Sequence, residues 1–325
     1  MRPTVVVRIA VLASLVWSFD RHILQALSEP QAEVELAEFW QDPGDPGHRD
    51  LFAGPGGLEL APRIDAPFRF VAHKTSGVNP GYDVKDATGR MWSVKLGVEA
   101  QSEVTASRIL WAMGFHQPAT YYVEQWTLEG VGAGVKTNAR FRTDTDAYKP
   151  GAEWDWYDNP FADTQAFRGL IVAQMILNSW DLKTSNNRVY DAVDPLAMPR
   201  RLFMVRDLGS SLGHSKQHRF FSMLGTRGQQ GSKNDLEGFE EQGFIKKVEG
   251  HRVHFDYRGM NSALVKIVTP PDVVWACELL SRLTDDRWQA AFRAGGYTPE
   301  QTDRYIRKIR EKIAQGFALQ GIGTR

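Results

Sequence analysis

Residues 181–187 read DLKTSNN and follow an apolar run, AFRGLIVAQMILNSW, at 166–180. That run is apolar nearly all round, so it predicts a buried helix. An aspartate, a lysine and two asparagines at such a helix end must either cap it or do chemistry. Aspartate is a poor C-terminal residue, because the negative end of the helix dipole repels its carboxylate. The stretch therefore points to chemistry at Asp181, Lys183 and Asn186, with Asn187 read as a turn residue that tolerates left-handed backbone. Downstream, NRVY (187–190) and RLFMV (201–205) predict two short strands flanking the two-proline turn DAVDPLAMPR, and RDLG (206–209) follows at once.

Upstream, FRFVAHK, YDVK and RMWSVKLG predict three strands. SGVNPG (76–81) is a turn between the first two and DATG a turn between the second and third. Lys95 ends the third strand. EAQSEVTASRILWAMG (99–114) predicts a helix with Gly114 as its C-terminal stop. Glu103 lies in its first turns, with Glu99 as the rival partner for Lys95. ATYYVEQWTL (119–128) is a further strand, rich in aromatic and β-branched residues. Residues 68–128 thus read β-β-β-α-β. Beyond 243, FIKKVEGHRVHFDY predicts a hairpin turning at Glu249-Gly250, and residues 271–318 predict three helices.

Phosphoryl transfer from ATP requires a lysine on the phosphates, a carboxylate to hold that lysine, an aspartate at the acceptor hydroxyl, and an asparagine and aspartate on the metal. Lys95, Glu103, Asp181, Asn186 and Asp207 occur in that order. D-L-K-x-x-N resembles the catalytic loop of protein kinases, and Asp207-Leu208-Gly209 resembles their D-F-G, with leucine for phenylalanine. The layout is similar to that of atypical kinases: bacterial persistence-toxin kinases, lipid kinases, secretory-pathway kinases, and bacterial proteins with W-D-L-K-x-x-N-N and S-D-L-G segments. The resemblance spans residues 68–215. Ser179-Trp180 replaces H-R before Asp181, SGVNPG replaces G-x-G-x-x-G, and no A-P-E follows.

The resemblance implies an α+β, two-lobed protein-kinase-like fold with a small β-rich N-lobe and a larger, mainly helical C-lobe. It implies ATP and Mg²⁺ as cofactors. Asp181 matches the catalytic base, and Lys183 the residue that steadies the transferred phosphate. Asn186 and Asp207 match the metal ligands, and Lys95 with Glu103 the ion pair that positions ATP. Gly77 and Gly81 lie where a turn would approach the phosphates. The expected activity is phosphoryl transfer to a hydroxyl acceptor, protein or small molecule. The alternatives are a pseudokinase that binds nucleotide without turnover, and an adenylyl or small-molecule phosphotransferase.

Composition narrows the classes. The chain has 325 residues with 42% hydrophobic content, enough for one large domain or two lobes. Lys plus Arg and Asp plus Glu are both 39, so no overall field favours nucleic acid. A lone cysteine, Cys277, excludes an internal disulfide framework and reads as a buried small hydrophobe. MRPTVVVRIAVLASLVW (1–17) reads as a signal or membrane-anchor segment, or else as an ordinary amphipathic helix. Compartment follows that choice: exported or anchored, against cytoplasmic. The expected organisation is a signal, anchor or helix at 1–27, a loop-rich wrapping segment at 28–67, the N-lobe at 68–128 and the C-lobe at 129–325. Trp154 and Trp156 read as packing aromatics rather than a sugar or base platform, His214 and His218 as part of a solvated segment rather than a metal site, and the basic run Lys216, His218, Arg219, Arg227 and Lys233 either as a solvated loop or as a surface for an acidic or phosphorylated partner. Oligomeric state is not legible.

Overall fold

The computed structural model describes residues 35–45, 48–74, 80–215 and 231–322. The chain divides into two units, Met1–Glu35 and Leu36–Arg325, and every described residue but Glu35 belongs to the second. The expected N-terminal signal or anchor, Gly77, Lys216, His218, Arg219 and Arg227 lie outside the described residues. Among the described residues no helix is long and apolar enough to cross a membrane.

The fold is α+β, with a β-rich first lobe and a larger, mainly helical second lobe. The first lobe comprises β1 (Phe68–His73), β2 (Gly81–Lys85), β3 (Met91–Leu96), α1 (Glu99–Ala112), β4 (Ala119–Glu129) and β5 (Gly134–Thr143). The strands close into a barrel in the order β1-β2-β3-β5-β4. All neighbours are antiparallel except β1 and β4, which meet in parallel at Phe68↔Leu128 and Arg69↔Glu129. Strand side chains alternate between faces. One set, including Phe68, Val84, Trp92, Val94, Tyr121, Trp126 and Phe141, fills the barrel core. The other set, including Ser93, Lys95, Arg140 and Arg142, faces outward toward α1 and the second lobe.

The β-rich lobe extends to Thr143, so the expected lobe boundary at 128 cuts through the β4–β5 hairpin. Strand β5 also escaped the sequence reading. Its alternation Val135-Thr137-Ala139-Phe141-Thr143 is a strand signal, masked by the glycines before it and the two arginines within it.

The second lobe contains β6 (Tyr148–Pro150), α2 (Gln165–Ile176), β7 (Asn187–Ala192), β8 (Arg201–Val205), α3 (Leu236–Glu241), β9 (Ile245–Glu249), β10 (Arg252–Phe255), α4 (Pro270–Ser281), α5 (Asp285–Ala294) and α6 (Pro299–Phe317). Thr164 caps α2 by accepting from the Phe167 amide, and capping boxes start α4 and α6. The expected hairpin, buried helix and three C-terminal helices are all present. Cys277 is fully buried, and burial pushes its thiol up to about 12, so it packs as a hydrophobe.

Residues 36–45 and 48–67 wrap the first lobe and reach the second. Arg108 of α1 donates to Ala53 O at 3.3 Å, Tyr121 Oη donates to Gly57 O at 2.8 Å, and the Arg201 Nη2–Glu38 ion pair is 3.0 Å. Phe39 stacks on Phe161 at 4.7 Å and meets Trp154 edge-on at 6.1 Å. Trp154 and Trp156 are buried in this aromatic cluster, and Trp154 Nε1 donates to Met204 O at 3.0 Å, so both tryptophans pack.

Candidate active site

The site forms where the outer face of β3 and β5 meets the segment after β8. Pairing of β3 with β2 and β5 sets Lys95 opposite Gly81 and Arg140. Lys95 Nζ lies 2.8 Å from Asp207 Oδ2, 3.0 Å from Glu99 Oε2 and 3.3 Å from Glu103 Oε2. Glu99 and Glu103 are spaced i, i+4 and therefore share one face of α1. The two rivals both reach the lysine.

Burial works against the charge of Lys95, but Glu103 and Asp207 outweigh it, and the ammonium pKa is raised. Burial likewise opposes ionisation of Asp207, but Lys95 at 2.8 Å holds its carboxyl well below the usual range. Glu99 is also lowered: burial opposes the shift, and Lys95 and Lys233 overcome it.

Glu103 does more than brace Lys95. It is 1% exposed and lies 2.8 Å from Arg140 Nε and 3.5 Å from Arg142 Nη1. These are ion-pair distances, yet the angles leave both carboxylate oxygens without a hydrogen bond. One buried anion thus serves three cations. Arg140 Nη1 donates to Ser93 O at 2.8 Å and Arg142 Nη1 to Arg206 O at 3.0 Å. Burial, then Arg140 and Arg206, pull Arg142 down to about 9. Neither arginine stood out in the sequence as a site residue, because an alternating Arg-x-Arg strand reads as a solvated face.

The segment 181–187 is shaped by backbone contacts. Lys183 N and Asn186 Nδ2 both donate to Asp181 O, at 2.9 and 2.6 Å, and a 3₁₀ turn spans Thr184–Asn186. Asn186 O then accepts from Arg206 N at 2.7 Å and Asp207 N at 3.2 Å. Asn186 is thus the link between the two segments: its Nδ2 holds the Asp181 carbonyl and its own carbonyl holds the Asp207 amide. Lys183 Nζ lies 2.9 Å from Asp181 Oδ1 and its side chain is 48% exposed. Asn187 is buried and donates to Trp154 O, which fits a structural role.

Further support comes from far along the chain. Met260 N and Tyr257 Oη donate to Trp180 O at 2.8 and 3.2 Å, and Asn261 Nδ2 donates to Leu182 O at 2.6 Å. Lys312 Nζ, fully buried on α6, donates to Ile176 O at 2.8 Å and Asn178 Oδ1 at 2.7 Å. Nothing in the sequence marked these four residues.

Gly209 holds the other side of the site. Its nitrogen donates to Asp207 Oδ1 at 3.2 Å, and its carbonyl accepts from Ser102 Oγ of α1 at 2.9 Å. A Cβ at 209 would stand 2.9 Å from Glu99 Cβ and 3.0 Å from its Oε2. Gly209→Ala is expected to push α1 away from Asp207 and lower stability by about 1–3 kcal/mol. Urea unfolding checks this, and an unchanged midpoint would mean the two segments part at no cost. Gly81 has a packing reason of its own: a Cβ there would meet Val94 O at 2.7 Å and Lys74 Cδ at 2.9 Å.

The donor set suits a hard divalent cation. Asn186 spends its Nδ2 on Asp181 O, so its Oδ1 remains, and each Asp207 oxygen has a second lone pair beyond Lys95 or Gly209 N. Magnesium takes few protein oxygens and completes its shell with water and substrate phosphates. Among the described residues no cluster of three His, Cys, Asp or Glu side chains forms a self-sufficient metal site.

No family model matches the chain, and no curated protein matches it in sequence. Among solved structures it is similar to the proinflammatory kinase CtkA of Helicobacter pylori, with 10% identity and a TM-score of 0.46 over 79% of this chain and 96% of that one. It is also similar to the Rio2 kinase–ADP/Mg²⁺–phosphoaspartate complex of Chaetomium thermophilum, with 15% identity and a TM-score of 0.32 over 76% of this chain and 72% of that one.

Proposed function

We propose that the chain is a phosphotransferase that moves the γ-phosphoryl group of ATP to a hydroxyl acceptor. The observation that carries this reading is the convergence of Lys95 and Asp207, 112 positions apart, at 2.8 Å, with Asn186 O bonded to the Asp207 amide. An ion pair from distant segments, spliced to a polar loop bearing Asp181, is costly to assemble for structure alone.

Lys95 would grip the phosphate chain, steadied by Glu99 and Glu103. Asn186 and Asp207 would hold Mg²⁺, which when bound offsets the charge of the phosphate oxygens. Asp181 accepts the proton of the acceptor hydroxyl as its oxygen attacks the γ-phosphorus. The new O–P bond forms, the bond from the γ-phosphorus to the bridging oxygen breaks, and ADP leaves with that electron pair. Lys183 pairs with Asp181 and can follow the transferred group.

The test is a thermal-shift titration of the full chain with ATP and Mg²⁺, beside Asp207→Ala, with the products weighed by mass spectrometry. A ligand that binds only the folded state raises the melting temperature. A magnesium-dependent rise, lost in Asp207→Ala, together with ADP as product is the expected result. No rise at millimolar ATP overturns the reading. A rise without ADP assigns a binding protein, and an AMP-modified product assigns adenylyl transfer.

A further inference from the structure

We propose that this site grips the polyphosphate chain of its nucleotide and does not select the base. The inference rests on the phosphotransferase reading and concerns what the sheet face beside Asp207 can recognise.

Strand register decides what that face presents. One row across the sheet runs Asp83–Ser93–Arg142–Thr120, and the next runs Gly81–Lys95–Arg140–Tyr122. The apolar residues that alternate with them, Val94 and Phe141 between the rows and Trp92 and Ala139 on either side, all belong to the barrel core. A base is held by stacking on flat or apolar surface with a few placed polar groups. These rows offer three cations against one ring, Tyr122, which lies at the far end of its row with its hydroxyl donating to Asn138 Oδ1 at 2.7 Å.

The cations outrun their counter-charges. Glu103 is one carboxylate shared by Lys95, Arg140 and Arg142. Lys74, at the end of β1, lies across Gly81 and donates to Ser93 Oγ; its nearest carboxylate is Asp83, at 3.8 Å. Arg206, next to Asp207, makes no ion pair among the described residues. Burial, then the fields of Arg140 and Arg142, hold Lys74 down to about 8, and Arg206 adds to them. Crowded like charges are a debt that an oligoanion settles. Arginine forks suit phosphate oxygens, and the shelf continues directly from Lys95, so a phosphate chain held at Lys95 has Lys74 and Arg206 in its field.

The experiment measures affinities of the full chain, with Mg²⁺, for ATP, GTP and UTP, and competition by inorganic tripolyphosphate and by adenosine. The three nucleotides should bind within about threefold of one another, tripolyphosphate should compete, and adenosine should not. Lys74→Gln and Arg206→Gln replace partly exposed side chains. Each should weaken all three nucleotides alike, by about tenfold, the worth of one hydrogen bond to a charged group, with the ligand-free melting temperature unchanged. Preference for ATP over GTP and UTP by more than about thirtyfold, or competition by adenosine, overturns base indifference and leaves the phosphotransferase reading standing. Binding of none of these compounds overturns both.

Discussion

Asp181→Asn is expected to cut phosphoryl transfer by about 10²- to 10⁴-fold, the range for removing a general base, while leaving ATP affinity and folding close to wild type. The substitution keeps the shape of the side chain and removes its charge and basicity. What Asp181 contributes to the loop is its backbone carbonyl, which accepts from Lys183 N and Asn186 Nδ2, and that group is untouched. The carboxylate itself meets Lys183, whose side chain is half exposed, so its loss frees a solvated cation and strands no buried one. The loss should therefore fall on kcat at constant ATP binding, the pattern of an interaction made in the transition state. Single-turnover assays on the variant and an isothermal ATP titration check both halves. Equal turnover in Asp181→Asn would remove Asp181 from the chemistry.

The same geometry explains what could be read from the sequence. The order of strand lysine, helix glutamate, DLKTSNN and DLG is local information, because each motif sits at the end of one periodic element. Hence Lys95, Asp181, Asn186 and Asp207 could be named from the sequence; the structure pairs Lys95 with Asp207 and bonds Asn186 to the Asp181 carbonyl and the Asp207 amide. The choice between Glu99 and Glu103 was open because both occupy one helix face, and Lys95 reaches both. Arg140 and Arg142 were hidden for a different reason. Their strand alternates apolar and basic residues as an ordinary half-exposed strand does, and only tertiary contacts bury them, with Glu103 of α1 beside both and Arg206 O accepting from Arg142. Tyr257 and Asn261 act on the backbone of Trp180 and Leu182 from 77 and 79 positions away, and Lys312 on the end of α2 from 136, and no local pattern encodes such contacts.

Glu103→Gln should be the most destabilising conservative change in the first lobe. Lys95 and Arg140 stand directly opposite each other on adjacent strands, an arrangement that is unfavourable between like charges. Glu103 is the anion between them, with Arg142 as a third claimant. Removing one member of a buried charge cluster costs roughly 3–5 kcal/mol, because the partners stay buried and unpaired. At about 1.5–2 °C per kcal/mol for a unit of this size, the melting temperature should fall by roughly 5–10 °C. A double-mutant cycle separates charge from packing. Adding Arg140→Met to Glu103→Gln should cost less than the sum of the single changes, since one uncompensated cation is withdrawn.

The pH dependence has a definite sign. Lys95 carries a raised pKa, so its contribution is complete below the unfolded lysine value of about 10.4 and is lost as pH climbs through the folded one. Asp207 carries a lowered pKa, so its contribution is complete above about 3.9 and is lost as pH drops through the folded one. Withdrawing Glu103 takes away the first of the carboxylates that hold Lys95 charged. The alkaline limb of the stability curve should then shift to lower pH, while the acid limb, set by Asp207 and Lys95 at 2.8 Å, moves less. Urea midpoints across the alkaline range, compared with those below about pH 5, read the two limbs separately. A variant as stable as wild type on both limbs would mean that Arg140 and Arg142 find other counter-charge, and the shared-anion account of Glu103 would fall.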